Sequence, residues 1–144
     1  MAEVLLNQEQ IKEIIPHRAP FLLIDEVLEM EVGKRVVARK YIKADDFWFK
    51  GHFPEKPVTP GVLMVEMLAQ AGAVCILSQP EFKGKIALFA GIDKAIPPAG
   101  RPRRCAGSGS GDHCTAWIGR CRQGDRSVDG KRAVTCEIKF AVEQ

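Results

Sequence analysis

The sequence predicts an α+β domain in which antiparallel strands surround one long, almost uniformly apolar helix. The helix is predicted from the run Gly61 to Leu77, whose only two polar side chains are those of Glu66 and Gln70. A helix that is apolar on nearly every side must be covered by other structure. Strands are predicted where apolar residues alternate or run together, at 21–30, 35–42, 85–92 and 132–142.

Composition indicates a single globular domain that spans residues 1–144. Hydrophobic residues make up 46%, charged residues 27%, and the net charge is +3. That balance excludes a polybasic nucleic-acid binder but suits an acidic partner. The apolar run stops short of a bilayer span, so we expect no membrane segment. Five cysteines without regular spacing, and no signal peptide, indicate reduced thiols and a cytoplasmic location.

Local signals predict where several elements begin and end. Asn7, with Gln10 three positions later, predicts a capping box at the start of a short helix that Pro16 ends. Pro60 suits the first turn of the long helix. Residues 32–34 predict a turn between the first two strands, and 128–131 predict a hairpin near the end of the chain.

Two polar residues in this apolar setting point to acid–base chemistry. Histidine gains and loses a proton near neutral pH, so His52 in a proline-rich loop is the candidate general base. Burying a carboxylate without a partner is costly, so Glu66 is expected to stay protonated and to act as a general acid. Gln70 lies one helical turn further on and could orient Glu66. The N–H groups of Gly61 and Val62 at the helix N-terminus could polarise a carbonyl oxygen.

Each of these residues also has an ordinary structural explanation. A single histidine in a loop is more often structural or exposed than catalytic, and a buried glutamate is often paired with an arginine. The combination, with the histidine placed just before a helix N-terminus, is what favours a catalytic site.

Three separated motifs then resemble one family. The segments PHRAPFLLID at 16–25, GHFPEKPVTPGVLMVEMLAQAG at 51–72 and FAGIDKA at 89–95 resemble the (3R)-hydroxyacyl-[acyl-carrier-protein] dehydratases of bacterial type II fatty acid synthesis. The resemblance covers residues 5–95 and 127–142, and the spacing between His52 and Glu66 is the one that this family uses. A glutamate at position 66 resembles the branch of the family that does not isomerise its product, because the isomerising branch carries Asp at this position.

The resemblance implies a hot-dog fold, in which a curled antiparallel sheet wraps around one long central helix. It also implies a homodimer, which in many members assembles further into a trimer of dimers, with the active site in a tunnel at the subunit interface. His52 of one chain would then face Glu66 of the other. The implied substrate is a 3-hydroxyacyl chain on acyl carrier protein, with no metal, cofactor, nucleic acid or membrane involved.

The resemblance assigns roles to particular residues. His52 would remove the C2 proton, Glu66 would protonate the departing hydroxyl, and the backbone N–H of Gly61 would polarise the thioester carbonyl. Gln70 would support Glu66, and Phe53 could line the apolar tunnel. Lys50 and Lys94 are candidates for contact with the acidic carrier protein. His17 and Arg18 belong to the first motif and are interpreted as structural.

Residues 96–126 depart from the family pattern. They are rich in Gly, Arg, Pro, Ser and Cys and show almost no apolar periodicity, and the match resumes near Ser127 with the length preserved. We interpret the segment as the product of two compensating frameshifts in the gene. When residues 96–126 are back-translated with plausible codons and translated again from the second base, the result contains a Pro-Gly-Asp turn followed by the alternating strand VLEVEVEI. As written, the segment should form poor strands or none.

Other hypotheses remain open at this point. A hot-dog thioesterase or hydratase acting on coenzyme A thioesters is the enzymatic alternative. A catalytically inert acyl-binding subunit, disabled by the altered segment, is the non-enzymatic one. Zinc is disfavoured because no closely spaced cysteine pair exists, and the basic run 101–104 lacks a nucleic-acid-binding motif. The candidate zinc ligands would be Cys105, His113, Cys114 and Cys121.

Overall fold

The computed structural model describes residues 3–43, 45–55, 59–96, 111–117, 123–128 and 131–142. Two helices and six strands are described. The helices are α1 (Gln8–Ile14) and α2 (Gly61–Leu77). The strands are β1 (Glu26–Glu31), β2 (Arg35–Tyr41), β3 (Ala87–Ile96), β4 (Gly111–Trp117), β5 (Gln123–Val128) and β6 (Lys131–Val142).

The six strands form one antiparallel sheet in the order β1-β2-β4-β5-β6-β3. Helix α2 packs against all six of them. From Met64 to Leu77 every residue of α2 is buried except Glu66. The long apolar helix wrapped by a sheet is therefore confirmed, and with it the α+β fold.

The capping box at α1 is confirmed. The backbone N–H of Gln10 donates to the Asn7 side chain at 3.0 Å, and the Asn7 N–H donates to the Gln10 side chain at 2.9 Å. Ile11 on the inner face of α1 is fully buried and joins the core cluster beneath β1 and β2. This short helix thereby closes one side of the sheet over α2.

The first predicted strand begins later than expected. The prediction of a strand over 21–30 was wrong for residues 21–25, since β1 begins at Glu26. The backbone N–H of Leu23 donates to the side chain of Gln70 at 2.8 Å, and the same side chain donates to the carbonyl of Phe21 at 2.9 Å. These bonds replace a strand ladder, so the segment runs extended across α2 rather than within the sheet.

The expectation of poor strands or none within 96–126 was also wrong. Strand β4 pairs with β2 over seven residues, from Arg35 opposite Trp117 to Tyr41 opposite Gly111. Strand β5 pairs with both β4 and β6. Ladder hydrogen bonds are made by backbone groups, so two flanking strands can hold a segment whose side chains lack alternation. Residues 97–110 and 118–122 lie outside the described part of the chain.

Candidate active site

Glu66 lies part-buried in the middle of an otherwise buried helix. Its side chain retains 17% exposure, so it is less enclosed than the apolar sequence around it predicted. The Nε2 group of Gln70 donates to Glu66 Oε1 at 3.1 Å. Gln70 itself is 1% exposed. A carboxyl group is thus held at the inner face of α2 while it still reaches the surface of the protomer.

Gln70 connects this carboxyl group to the N-terminal segment. Its Oε1 accepts from the Leu23 N–H, and its Nε2 donates to both the Phe21 carbonyl and Glu66. All the hydrogen-bonding groups of a primary amide are engaged except one lone pair. The side chain is therefore held in one orientation, and it presents its N–H group to Glu66.

His17 approaches the same carboxyl oxygen, which the sequence analysis did not foresee. Its Nε2 lies 3.7 Å from Glu66 Oε1. Burial lowers the pKa of His17 below its ordinary value; the Glu66 carboxylate opposes this shift and Arg18 adds to it. The only available signal was the place of His17 in the first motif, because the sequence does not reveal that this loop crosses α2.

Arg18 fixes the backbone of that loop. Its guanidinium donates to the carbonyl oxygens of Lys12 at 3.0 Å, Ile15 at 3.0 Å and His17 at 2.7 Å. Three carbonyl groups at the end of α1 and just beyond it are therefore tied to one side chain. This geometry fits the structural interpretation of Arg18, whereas His17 has a contact with a candidate catalytic group.

His52 lies just beyond a 3₁₀ turn, Phe47–Lys50. Its backbone N–H donates to the Trp48 carbonyl at 2.9 Å, and its ring stacks on Phe53 with centroids 4.2 Å apart. Phe53 is 52% exposed. Among the described residues, Glu66 accepts a hydrogen bond from Gln70 and lies in ion-pair range of His17.

A buried ionic cluster anchors the loop that leads to His52. Lys40, 8% exposed, places its Nζ 3.7 Å from Asp25 and 3.8 Å from Asp46. Asp46 in turn accepts from the Lys43 N–H at 2.7 Å and immediately precedes the 3₁₀ turn. The cluster ties the loop to β2 and to the segment before β1.

The N-terminus of α2 is open. Pro60 is the N-cap, and Gly61 and Val62 are both exposed, Val62 at 78%. No described atom lies within 4 Å of where a Cβ would stand on Gly61. The N–H groups of the first turn of an α-helix have no partner within the helix, so the carbonyl-polarising role of Gly61 stays a prediction.

Of the two lysines that are candidates for contact with the carrier protein, only Lys50 has a described side chain. Lys50 is exposed at the end of the 3₁₀ turn, two residues before His52. Lys94 lies on β3, and its side chain falls outside the described part of the structure.

No metal site and no membrane-spanning helix is found among the residues that the structure describes. No group of three His, Cys, Asp or Glu side chains there could hold a metal ion. Cys105 and Cys121 of the zinc hypothesis lie outside the described ranges. Within the same ranges, no helix is long and apolar enough to cross a bilayer.

Comparison with known proteins identifies the family. Residues 15–96 match the FabA-like domain. The chain is 59% identical over 145 residues to the 3-hydroxyacyl-[acyl-carrier-protein] dehydratase FabZ of Clostridium botulinum, with 97% of this chain and 98% of that protein covered. This chain belongs to the FabA-like family, among its FabZ dehydratases. The FabZ of Clostridium novyi is 48% identical over 143 residues, covering 95% of this chain and 97% of that protein.

A solved structure shares the fold. The dehydratase heterocomplex ApeI:P of Xenorhabdus doucetiae aligns with a TM-score of 0.70 at 17% identity, and covers 93% of this chain and 91% of that one. The resemblance stated from the three sequence motifs is therefore confirmed, both in family and in hot-dog fold. The FabA-like match ends at residue 96.

Proposed function

We propose that this FabZ-like chain removes water from (3R)-hydroxyacyl groups carried on acyl carrier protein and so produces trans-2-enoyl thioesters in fatty acid biosynthesis. Relatives that cover nearly the whole chain carry the name 3-hydroxyacyl-[acyl-carrier-protein] dehydratase. The observation that carries the proposal within the chain is Glu66, the one incompletely buried residue of the inner part of α2, held through one oxygen by Gln70.

The residues divide the chemistry between a base, an acid and an oxyanion donor. His52 takes the C2 proton of the substrate, and the C2 electron pair forms the new double bond as the C3–O bond breaks. Glu66 donates a proton to the departing hydroxyl, which leaves as water. The N–H of Gly61 stabilises the negative charge that develops on the thioester carbonyl oxygen. Each proton transfer accounts for roughly 10²–10⁴-fold of rate.

The site is completed between two protomers in this proposal. Among the described residues of one chain, the contacts of Glu66 are with Gln70 and His17. Strand β3 is an edge of the sheet, and Leu88 and Ile92 on it are 55% and 47% exposed. Pairing of two β3 edges would cover these side chains, and His52 would face Glu66 of the partner subunit. A trimer of such dimers is the larger assembly proposed.

The carrier protein would approach the loop that bears His52. The exposed ammonium group of Lys50 lies on that loop and suits an acidic partner, with Lys94 as a second candidate. Phe53, half-exposed and stacked on His52, offers an apolar surface to the acyl chain. A cytoplasmic location belongs to the same proposal.

The test is a dehydration assay with purified protein and 3-hydroxyacyl carrier protein. The conjugated enoyl thioester absorbs in the ultraviolet, and wild type should generate that signal. His52→Ala should lose at least about 10²-fold of the rate, as removal of a general base does, and keep the far-ultraviolet circular dichroism of wild type. His113→Ala is the matched control and should retain the rate.

The same assay separates the alternatives. Release of free thiol without enoyl absorbance would establish a thioesterase instead. Binding of the acyl carrier protein without turnover would establish an inert acyl-binding subunit. Full activity in His52→Ala would contradict the assignment of the base.

A further inference from the structure

The carboxyl group of Glu66 is contacted on one oxygen by two different side chains. Gln70 Nε2 donates to Oε1 at 3.1 Å, and His17 Nε2 lies 3.7 Å from that same atom. Both of these contacts, one a hydrogen bond and the other a longer approach, fall on Oε1. The two oxygens of the candidate acid are therefore not equivalent.

The proton on the His17 ring can be placed from its surroundings. Nδ1 is buried and has no hydrogen-bond partner among the described residues. A proton on Nδ1 would leave a buried donor unsatisfied and would set the bare Nε2 against a carboxyl oxygen. The tautomer with the proton on Nε2 still leaves Nδ1 as a buried acceptor, but it directs an N–H group toward Glu66 Oε1.

The ring is also held in an environment that favours its neutral form. The ionisable groups that act on it are the Glu66 carboxyl, from α2, and the Arg18 guanidinium, from its own loop. Burial is the largest influence, and it lowers the pKa of His17. Arg18 acts in the same direction, while its bonds to three carbonyl groups keep the loop in place.

We propose that His17 is a positioning residue for the acid of the dehydratase site. The Gln70 amide donates a hydrogen bond to Oε1 of Glu66 and the neutral Nε2–H of His17 faces the same oxygen from 3.7 Å, so that the acidic proton resides on Oε2 and faces the substrate. An uncharged ring is essential to this arrangement, because a cation in its place would favour the carboxylate over the acid. This inference rests on the proposed function, and it adds the group that selects the reactive oxygen.

Kinetics of three substitutions at residue 17 test the role. His17→Gln retains a neutral N–H donor and should keep kcat within about threefold of wild type. His17→Ala should lower kcat by about 10- to 100-fold while KM stays nearly unchanged, since the bound substrate loses no contact. His17→Arg should lower kcat further and move the alkaline limb of the kcat–pH profile to lower pH.

A residue with a purely structural role would give a different result. Equal losses in the Gln, Ala and Arg variants, or an unmoved alkaline limb in His17→Arg, would overturn the inference while leaving the dehydratase assignment intact. Circular dichroism and size-exclusion chromatography of each variant show whether it folds and assembles like wild type.

A spectroscopic measurement tests the pairing without catalysis. The chain has three histidines, so ¹⁵N imidazole resonances can be assigned with the His52→Ala and His113→Ala variants. Near neutral pH, His17 should be neutral with its proton on Nε2, and Glu66→Leu should turn it into a mixture of tautomers. An imidazolium, or an Nδ1–H tautomer, would overturn the proposal. If wild type shows no dehydration, the proposed function fails and this measurement still decides the pairing.

Discussion

The side chain of Gln70 donates to Glu66 Oε1 at 3.1 Å while its own oxygen accepts from the Leu23 N–H at 2.8 Å. One buried amide thus connects the candidate acid to a backbone segment that lies 47 positions before Gln70 in the sequence. Because both contacts depend on a single side-chain orientation, the position of the acid and the path of the N-terminal segment are coupled.

Replacement of Gln70 by Met should therefore affect both stability and rate. The Leu23 N–H and Phe21 carbonyl would lose their partners, at a cost of about 1–3 kcal/mol for each buried group left unsatisfied. Urea unfolding measures the loss, and the dehydration assay should show a lower kcat. Gln79→Met is the matched control, because the Gln79 side chain forms no side-chain hydrogen bond among the described residues. Equal stability of the two variants would contradict the coupling.

Acidification should weaken the fold through His17. Its pKa is lowered in the folded chain, mainly by burial, so the unfolded chain binds a proton that the folded chain resists. The contribution of His17 to the free energy of unfolding is therefore complete above about pH 6.5, the pKa of histidine in the unfolded chain. It is lost as pH falls from there through the lower pKa of the folded chain. Urea unfolding between about pH 7.5 and about pH 5.5 should show a larger loss for wild type than for His17→Gln. An identical loss in both proteins would contradict this assignment.

Cys75 should resist alkylation in the native protein. It is fully buried on α2, where burial raises the pKa of its thiol, and its Sγ lies 3.4 Å from the carbonyl oxygens of Glu31 and Arg35, which share its one proton. The thiolate is the reactive species, so modification near pH 8 should be at least about 100-fold slower than in urea. Mass spectrometry of the peptide that contains Cys75 gives both rates. Comparable rates would show that this part of α2 opens readily.

The segment 96–126 should limit stability if it is translated as written. Opposite β4, Val36 and Ala38 of β2 are buried, and their register partners are the small residues Ala116 and Cys114. We consider a variant whose segment has the sequence obtained by reading the codons from the second base, which contains large alternating apolar residues. Its free energy of unfolding should be at least about 2 kcal/mol higher. Urea unfolding measures the gain, and a shuffled segment of the same composition is the control. The intact mass of the protein purified from its natural source shows which of the two sequences the cell translates.

Much of the architecture follows from local pattern. The Asn7–Gln10 capping box, the turn at Gly33 and the apolar run of α2 each depend on residues close together in the chain, so the sequence is sufficient to predict them. Gly33 has a φ of 76°, a conformation that glycine adopts without strain. His52 and Glu66 could be selected as candidates because a polar residue in an apolar or proline-rich setting stands out by itself.

Tertiary structure decided what local pattern could not. The apolar segment 21–25 has the composition of a strand, yet the amide of Gln70 takes its backbone groups and holds it outside the sheet. His17, in the loop just before that segment, acquires its contact with Glu66 only because the folded chain brings this loop to α2. The physical reason is the same in both cases. Contacts between distant segments depend on how helix and sheet pack, and the spacing of apolar residues along the sequence does not determine that packing.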